Sequence, residues 1–395
     1  MNIAVLGEGL TGNAIKQKIS ILPDHIITSV DEADVIIASP GIPPEQFPKT
    51  EKPIISEIEL AYRLFQDYQK KPRFIGITGT NGKTTITTLI GDMLDCPVAG
   101  NIGKPLISFI PENKEQEAAI PDYIAVELSS YQLETTISFR PDVSIITNIT
   151  EDHLTRHKTM QNYAKAKAKI FESQTPTDLF IYNELDPLIL EMLPTCQAQK
   201  KGFDVNHDYL RIKEHLNIPG DHNLENAMAA VYCSQFFGLA VETIFSKLEK
   251  FTGVEHRIEY VATINNIDCY NDSKGTNPES TITALKALHG QGILILGGKD
   301  KCTSLDQLCK CVKEHASKTI LIGEAKERFC NALTAHGYTS IYMETDLSSA
   351  VKKGLELATD EKYLLLSPAC ASFDMYNNFE ERGTHFKLLI KKYFK

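Results

Sequence analysis

One stretch constrains this chain more than any other. The apolar run Phe74-Ile75-Gly76-Ile77-Thr78 leads straight into Gly79-Thr80-Asn81-Gly82-Lys83-Thr84, and a helical pattern follows from Ile86 to Leu94. Strand, glycine turn, Gly-Lys-Thr and helix in that order place these residues in a parallel α/β sheet and build a cradle for a polyphosphate. Backbone N–H groups freed at the turn, the positive end of the helix dipole and the lysine ammonium all point at an anion, while the Thr84 hydroxyl can ligate Mg²⁺. The expected ligand is ATP or GTP. The standard phosphate loop has a glycine five residues before Gly82, where this chain has Ile77, so the loop is a shortened variant.

At 395 residues the chain is long enough for two or three domains with full cores, and 42% hydrophobic with 23% charged residues is ordinary for a globular protein. The net charge of -10 argues against nucleic acid or an anionic membrane as the main partner. The start, Met1-Asn2-Ile3-Ala4-Val5-Leu6-Gly7, has no basic segment and too short an apolar run for a signal peptide, and no stretch approaches the length of a membrane span. Nine scattered cysteines include no C-x-x-C pair, and the Cys309/Cys311 spacing suits neither zinc nor a redox couple. A reducing cytoplasm is expected, with most cysteines as small core residues.

The expected fold class is α/β in three domains. A small N-terminal Rossmann-like domain (1–70) holds strands at Ile3–Leu6, Ile26–Val30 and Val35–Ala38 and a helix near Ile55–Gln69. A central phosphate-loop, ATPase-like domain (71–257) alternates strands at Tyr123–Val126, Val143–Thr147 and Leu179–Tyr182 with helices, the last two from Asn223 to Phe237 and on to Phe251. A C-terminal Rossmann-like α/β domain (258–395) carries strands Ile293–Leu296, Thr319–Ile322 and Tyr363–Leu366. Gln69-Lys70-Lys71-Pro72 reads as a linker.

The turn Gly7-Glu8-Gly9-Leu10-Thr11-Gly12 fits G-x-G-x-x-G after a strand, with Asp31 about twenty residues on. Alone it argues for an NAD-dependent dehydrogenase. Fewer than seventy residues separate it from the phosphate-loop strand, which leaves room for half a dinucleotide domain, so another diphosphate-bearing ligand is more economical. Downstream, Glu127 closes one strand and Asn148-Ile149-Thr150-Glu151-Asp152-His153 closes the next. Neighbouring parallel strands share one crevice at their C-terminal edge, which makes Glu127 and His153 candidate metal ligands beside the phosphate loop. Each alone has a structural reading, Glu127 as a helix cap and His153 as a hydrogen-bonding residue.

Thr78-Gly79-Thr80-Asn81-Gly82-Lys83-Thr84, Gly100-Asn101-Ile102-Gly103, Glu127-Leu128-Ser129-Ser130-Tyr131-Gln132, Asn148 to His153 and His222-Asn223-Leu224-Glu225-Asn226-Ala227 resemble the motifs of the ATP-dependent Mur ligases of peptidoglycan synthesis, a family whose phosphate loop is itself short. Asp272-Ser273-Lys274-Gly275-Thr276-Asn277, Ser367-Pro368-Ala369-Cys370-Ala371-Ser372-Phe373-Asp374 and Asn378-Phe379-Glu380-Glu381-Arg382-Gly383 look like those of the D-glutamate-adding member. The resemblance covers all three domains.

What it implies is a carboxylate activated by ATP as an acyl phosphate and then attacked by an amine, joining D-glutamate to UDP-N-acetylmuramoyl-L-alanine in a cytoplasmic monomer. Gly79, Thr80, Asn81, Gly82, Lys83, Thr84 and Thr85 would cradle the ATP phosphates. Thr84 and Glu127 would hold one Mg²⁺, and His153 with Glu127 a second. A carbamylated lysine is the family's further ligand or support, and alignment of Lys-Ala-Lys-Ile-Phe-Glu selects Lys167; from the residues alone, Lys165, Lys167 and Lys169 read as a solvated helix face. Asn226, Arg257, Asp272 and Lys274 resemble the adenine, ribose and phosphate contacts, with Lys274 stabilising transferring charge. Thr276, Lys301, Ser372, Phe373 and Phe379 resemble the D-glutamate pocket, although core packing is the commoner role of phenylalanine. Leu10, Thr11, Ser39 and Asn101 would face the UDP-sugar. Relatives carry an Asp-Thr-Arg-like segment after the second strand to read uracil; here Ser29-Val30-Asp31-Glu32-Ala33-Asp34 runs almost directly into the third strand, and Asp31 is the remaining acidic candidate. The competing function classes are an ATPase acting as a regulatory switch and the dehydrogenase.

Overall fold

Three sheets carry the chain, and among the described residues every strand pair but one is parallel. The computed structural model describes residues 1–204, 209–218 and 220–393. The first sheet, in the order β2-β1-β3-β4, consists of β1 (Asn2–Leu6), β2 (Ile26–Ile27), β3 (Val35–Ala38) and β4 (Ile54–Ile55). The second, β10-β9-β8-β5-β7-β6, contains β5 (Arg73–Thr78), β6 (Val98–Gly100), β7 (Tyr123–Glu127), β8 (Val143–Ile146), β9 (Leu179–Asn183) and β10 (Gln199–Phe203). The third, β11-β12-β16-β13-β14-β15, contains β11 (Glu259–Ile264), β12 (Ile267–Asn271), β13 (Gly292–Gly297), β14 (Ala316–Ile322), β15 (Ile341–Met343) and β16 (Tyr363–Leu366).

The second strand stops three residues short of the expected Val30. The Thr28 N–H still donates to the Ile3 carbonyl at 2.9 Å, and past it the carbonyls of Val30 and Asp31 accept from the Lys52 ammonium at 2.9 and 2.5 Å. The third sheet opens with a hairpin that the apolar pattern did not announce. Asn265 and Asn266 both adopt positive φ, +50° and +66°, between the paired residues Ile264 and Ile267, the backbone that a two-residue turn needs to match strand twist.

The chain divides into two units, Met1–Asn217 with Asn223–Phe251, and Ile218–His222 with Thr252–Lys395. The first two sheets lie in one unit because a single hydrophobic cluster runs through both. Helix Glu57–Phe65, capped by the Ser56 hydroxyl on the Glu59 N–H, puts Leu64 and Phe65 into that cluster with Phe74 and Phe139. Tyr62 and Phe65 meet the Phe74 ring edge-on at 5.7 and 5.6 Å. Each such ring contributes about 1.5–3 kcal/mol through its removal from water. Glu59, on the same helix, is buried and accepts from the N–H groups of Ile137, Ser138 and Phe139 at 3.0, 2.9 and 2.9 Å, which locks the helix to the central sheet. In the second unit two clusters cover the two faces of the third sheet.

Of the nine cysteines, six are buried and all are free thiols. No helix among the described residues is long and apolar enough to cross a membrane.

Candidate functional site

The phosphate loop occupies the four residues between β5 and helix Lys83–Leu94, and its shortness has a plain cause. Ile77, where a longer loop would have glycine, is still inside β5 and pairs with Glu127 on one side and Ile145 on the other. Gly79 (φ +143°) and Gly82 (φ +88°) make the turn. A Cβ on Gly79 would collide with the Thr147 hydroxyl, and one on Gly82 with the Asn226 side-chain oxygen, so both positions exclude any other residue. The second collision also locates Asn226, which lies directly against the loop. Asn148 Oδ1 accepts the Asn81 N–H at 2.9 Å, and the Asn148 carbonyl accepts the Thr80 N–H at 2.8 Å, which ties the loop to the end of β8. Lys83 Nζ donates to the Gly79 and Thr80 carbonyls at 2.9 and 2.8 Å, a posture that holds the ammonium over the loop. Thr84 and Thr85 are buried in the first turn of the helix, whose dipole favours an anion.

Since β5 lies between β7 and β8, residues at the ends of those strands border the same loop. Glu127 ends β7 and is 1% exposed. Its Oε1 accepts from Asn101 Nδ2 at 2.8 Å, while Oε2 is buried with no hydrogen-bond partner. A buried, unpartnered carboxylate oxygen is costly in an apolar setting and is the donor that a hard cation takes. Asn101, expected to face a nucleotide-sugar, thus also holds the carboxylate in place.

Lys167 departs most from its bland reading. Lys165 is exposed and Lys169 half-buried, but Lys167 is 1% exposed, so it does not belong to a solvated helix face. Its Nζ donates to the Gly79 carbonyl at 2.8 Å and lies 4.5 Å from the Tyr163 ring centroid. Burial first, and then the neighbouring Lys83 charge, hold its pKa well below the usual lysine value, against smaller opposing effects of Asp152 and Glu127. His153 sits at φ +57°, with Nδ1 2.9 Å from the Tyr131 hydroxyl and its ring 6.2 Å from that of Tyr163. Tyr163 therefore packs between His153 and Lys167. Motif reading assigned no role to Tyr131, Arg156, His157 or Tyr163. Arg156 pairs with Glu134, stacks 4.2 Å from the Tyr131 ring centroid and donates to the Pro40 carbonyl at 3.0 Å, which links the first sheet to this cluster. The available signal was the place of Tyr131 in the segment that follows Glu127 and of Arg156 and His157 directly after His153; Tyr163, on the next helix, carried none.

On the first sheet, Leu10 (75% exposed) and Thr11 start helix Leu10–Ile19 right after the Gly7–Gly9 turn. Ser39 follows β3, and its hydroxyl is buried against Gly7 with no hydrogen-bond partner. Asp31 is exposed.

In the second unit three loops leave the adjacent strands β12, β16 and β13 at their C-terminal ends. Asp272 is buried, accepts from Ser367 Oγ at 2.7 Å and lies 4.0 Å from Arg257; burial pushes its pKa up to about 6. Lys274 stands over the Phe379 ring at 5.3 Å. Thr276 is half-buried, Ser372 buried and Lys301 exposed. Phe373 is 71% exposed and Phe379 half-buried, so core packing does not account for Phe373. Behind the loops Arg382 is fully buried and donates to the Ser273, Cys370 and Ala371 carbonyls at 2.8, 3.1 and 3.3 Å. In the sequence this arginine stands within the Asn378–Gly383 motif with no role of its own.

Residues 77–207 match the Mur ligase middle domain, and residues 256–370 match the Mur ligase, glutamate ligase domain. Two curated proteins bear the name UDP-N-acetylmuramoylalanine--D-glutamate ligase. The one from Clostridioides difficile is 40% identical, covering 92% of this chain and 85% of its own length. The one from Caldanaerobacter subterraneus is 42% identical, covering 90% and 84%. Among solved structures, MurF from Acinetobacter baumannii superposes with a TM-score of 0.64 at 17% identity, over 91% of this chain and 85% of that one, a likeness of fold. The chain belongs to the Mur ligase family and resembles the D-glutamate ligases within it.

Proposed function

We propose that this chain is an ATP-dependent, ADP-forming amide ligase that joins D-glutamate to UDP-N-acetylmuramoyl-L-alanine in the synthesis of peptidoglycan precursors. Similarity to named D-glutamate ligases along nine-tenths of the chain supports the substrate pair. The observation that carries the chemistry is the buried, unpartnered Glu127 oxygen at the strand end beside a phosphate loop. A carboxylate is a poor electrophile, so the γ-phosphoryl group of ATP moves to a carboxylate oxygen and ADP leaves. The amine nitrogen of D-glutamate then attacks the carbonyl carbon, phosphate departs with the C–O bond, and the nitrogen loses its proton. Such phosphoryl transfer needs alignment and charge neutralisation more than covalent help.

In this reading Gly79 to Thr85 cradle the phosphates and Lys83 follows the charge that moves. Thr84 and Glu127 would hold one Mg²⁺ and His153 with Glu127 a second, and such ions would supply neutralisation of the phosphate charge. Lys167 carries a carbamate. Its amine, whose pKa burial depresses, attacks CO₂ in the neutral form, an N–C bond forms and a proton is released, which leaves an anionic carbamate that attracts Lys83. Asn226, Arg257, Asp272 and Lys274 contact the nucleotide, and Thr276, Lys301, Ser372, Phe373 and Phe379 contact the amino acid. Leu10, Thr11, Ser39 and Asn101 contact the nucleotide-sugar. Residues 1–70, 71–257 and 258–395 divide these tasks, in a monomer that works in the cytoplasm.

A phosphate-release assay tests the reading. Release that requires ATP, UDP-N-acetylmuramoyl-L-alanine and D-glutamate together is the expected result. A switch ATPase would release phosphate from ATP alone, and a dehydrogenase would change nicotinamide absorbance.

A further inference from the structure

The turn Lys299–Thr303 follows β13 and is held at several points within its own unit. Lys299 donates its N–H to the Ala371 carbonyl at 2.9 Å, which joins this turn to the loop that carries Ser372. Asp300 Oδ1 accepts the Cys302 N–H at 2.9 Å, and Cys302 takes φ +55° to make the bend. Arg328, on helix Lys326–Ala335, donates from Nη1 to Asp300 Oδ1 at 3.0 Å and from Nη2 to the Thr303 carbonyl. Both branches of one guanidinium thus span the turn, and Lys301 lies between the two pinned ends. The buried Cys370 thiol feels the charges of both Asp300 and Lys301, so the turn lies close to the Ser372 loop.

We infer that Arg328 is a positioning residue of the amino-acid pocket, clamping the Lys299–Thr303 turn so that Lys301 leaves from a fixed backbone. The inference rests on the reading of Lys301 as a contact to the glutamate carboxylates. A lysine side chain has much rotamer freedom to lose on binding an anion, and a mobile backbone beneath it adds to that loss. The planar fork of arginine suits the task because one group reaches a carboxylate and a carbonyl together.

The test compares Arg328→Gln, Asp300→Asn, the double variant and Lys301→Ala in the full-length enzyme. Arg328→Gln is expected to raise the D-glutamate KM about tenfold. The kcat at saturating D-glutamate and the ATP KM should stay within twofold, and the Tm should stay near that of the parent. The double variant should be no worse than Arg328→Gln alone, since Asp300→Asn touches only one of the two contacts that Arg328 makes, and Arg328→Lys should restore part of the loss. An unchanged D-glutamate KM in Arg328→Gln, alongside a raised one in Lys301→Ala, would overturn the clamp and leave the pocket standing. No change in either variant would overturn both. Equal rises in the D-glutamate and ATP KM values with a lowered Tm would show a merely structural arginine and also overturn the clamp.

Discussion

Lys167 Nζ donates to the carbonyl oxygen of Gly79 at 2.8 Å, so a fully buried lysine touches the first glycine of the phosphate loop from inside the protein. The same carbonyl also accepts from Lys83 at 2.9 Å. Two lysines, one half-buried and one buried, thus converge on one loop oxygen, and the charge of each raises the cost of the charge on the other.

Lys83 is the one expected to follow the phosphates. Lys83→Ala should lower turnover on the order of 100-fold or more with the fold intact, because the loss is of charge stabilisation during transfer. Steady-state phosphate release with a circular dichroism spectrum checks this; near-normal turnover would remove the assignment.

Lys167 should respond to carbon dioxide. Its depressed pKa supplies the neutral amine that carbamylation needs, and protonation at lower pH withdraws it. Activity is therefore expected to fall in CO₂-depleted buffer and to recover with bicarbonate at alkaline rather than acidic pH. Full activity in Lys167→Ala, with a plain lysine at this position in a crystal structure, would exclude the carbamate.

The amino-acid pocket should discriminate by unmet donors. If Lys301, Thr276 and Ser372 receive the carboxylates of glutamate, a shorter or uncharged acceptor leaves them unpaired, at about 1–3 kcal/mol per group. D-glutamate should be used strongly, with L-glutamate, D-glutamine and aspartate poor. Lys301→Ala should raise the D-glutamate KM far more than the ATP KM. Phosphate release with a panel of amino acids that includes meso-diaminopimelate decides the matter, and preference for L-alanine or a diamino acid would reassign the pocket.

Glu57 gives a pH-dependent stability unrelated to catalysis. It is buried at the start of its helix, accepts the Ile107 N–H at 2.6 Å, and burial raises its pKa from 4.5 to about 7. The folded state therefore binds the proton more tightly than the unfolded one. The contribution is fully present below pH 4.5 and is lost as pH rises through 7. Glu57→Gln keeps an acceptor for Ile107 and removes the titration. At pH 8 it should be more stable than the parent by on the order of 1–3 kcal/mol, with the difference vanishing toward pH 4.5. Urea denaturation midpoints across that range measure it, and a pH-independent difference would refute the assignment to Glu57.

The phosphate loop and the strand-end cluster were legible in the chain itself because their information is local. Glycine is required where φ is positive, Lys and Thr where a helix begins, and an acidic residue where a strand meets a crevice. The short loop was legible too, since Ile77 could only continue the strand.

What the chain alone could not decide was which side chains lose their water. The segment Tyr163-Ala164-Lys165-Ala166-Lys167-Ala168-Lys169 alternates alanine and lysine with no apolar stripe, so its pattern leaves all three lysines equivalent. In the fold Lys167 alone of the three is buried, its ammonium at the end of β5 and the start of the loop, and with burial come its depressed pKa and its contact to Gly79. The same holds for Arg382, which the sequence presents only as part of a motif, and for Arg328, which no motif contains; the loops they hold come beside them only in the fold. Sequence determined the local backbone and the chemistry available at each strand end, because those depend on residues a few positions apart. Tertiary structure alone decided desolvation and long-range pairing, because both depend on residues separated by tens to more than a hundred positions, as Arg382 and Ser273 are.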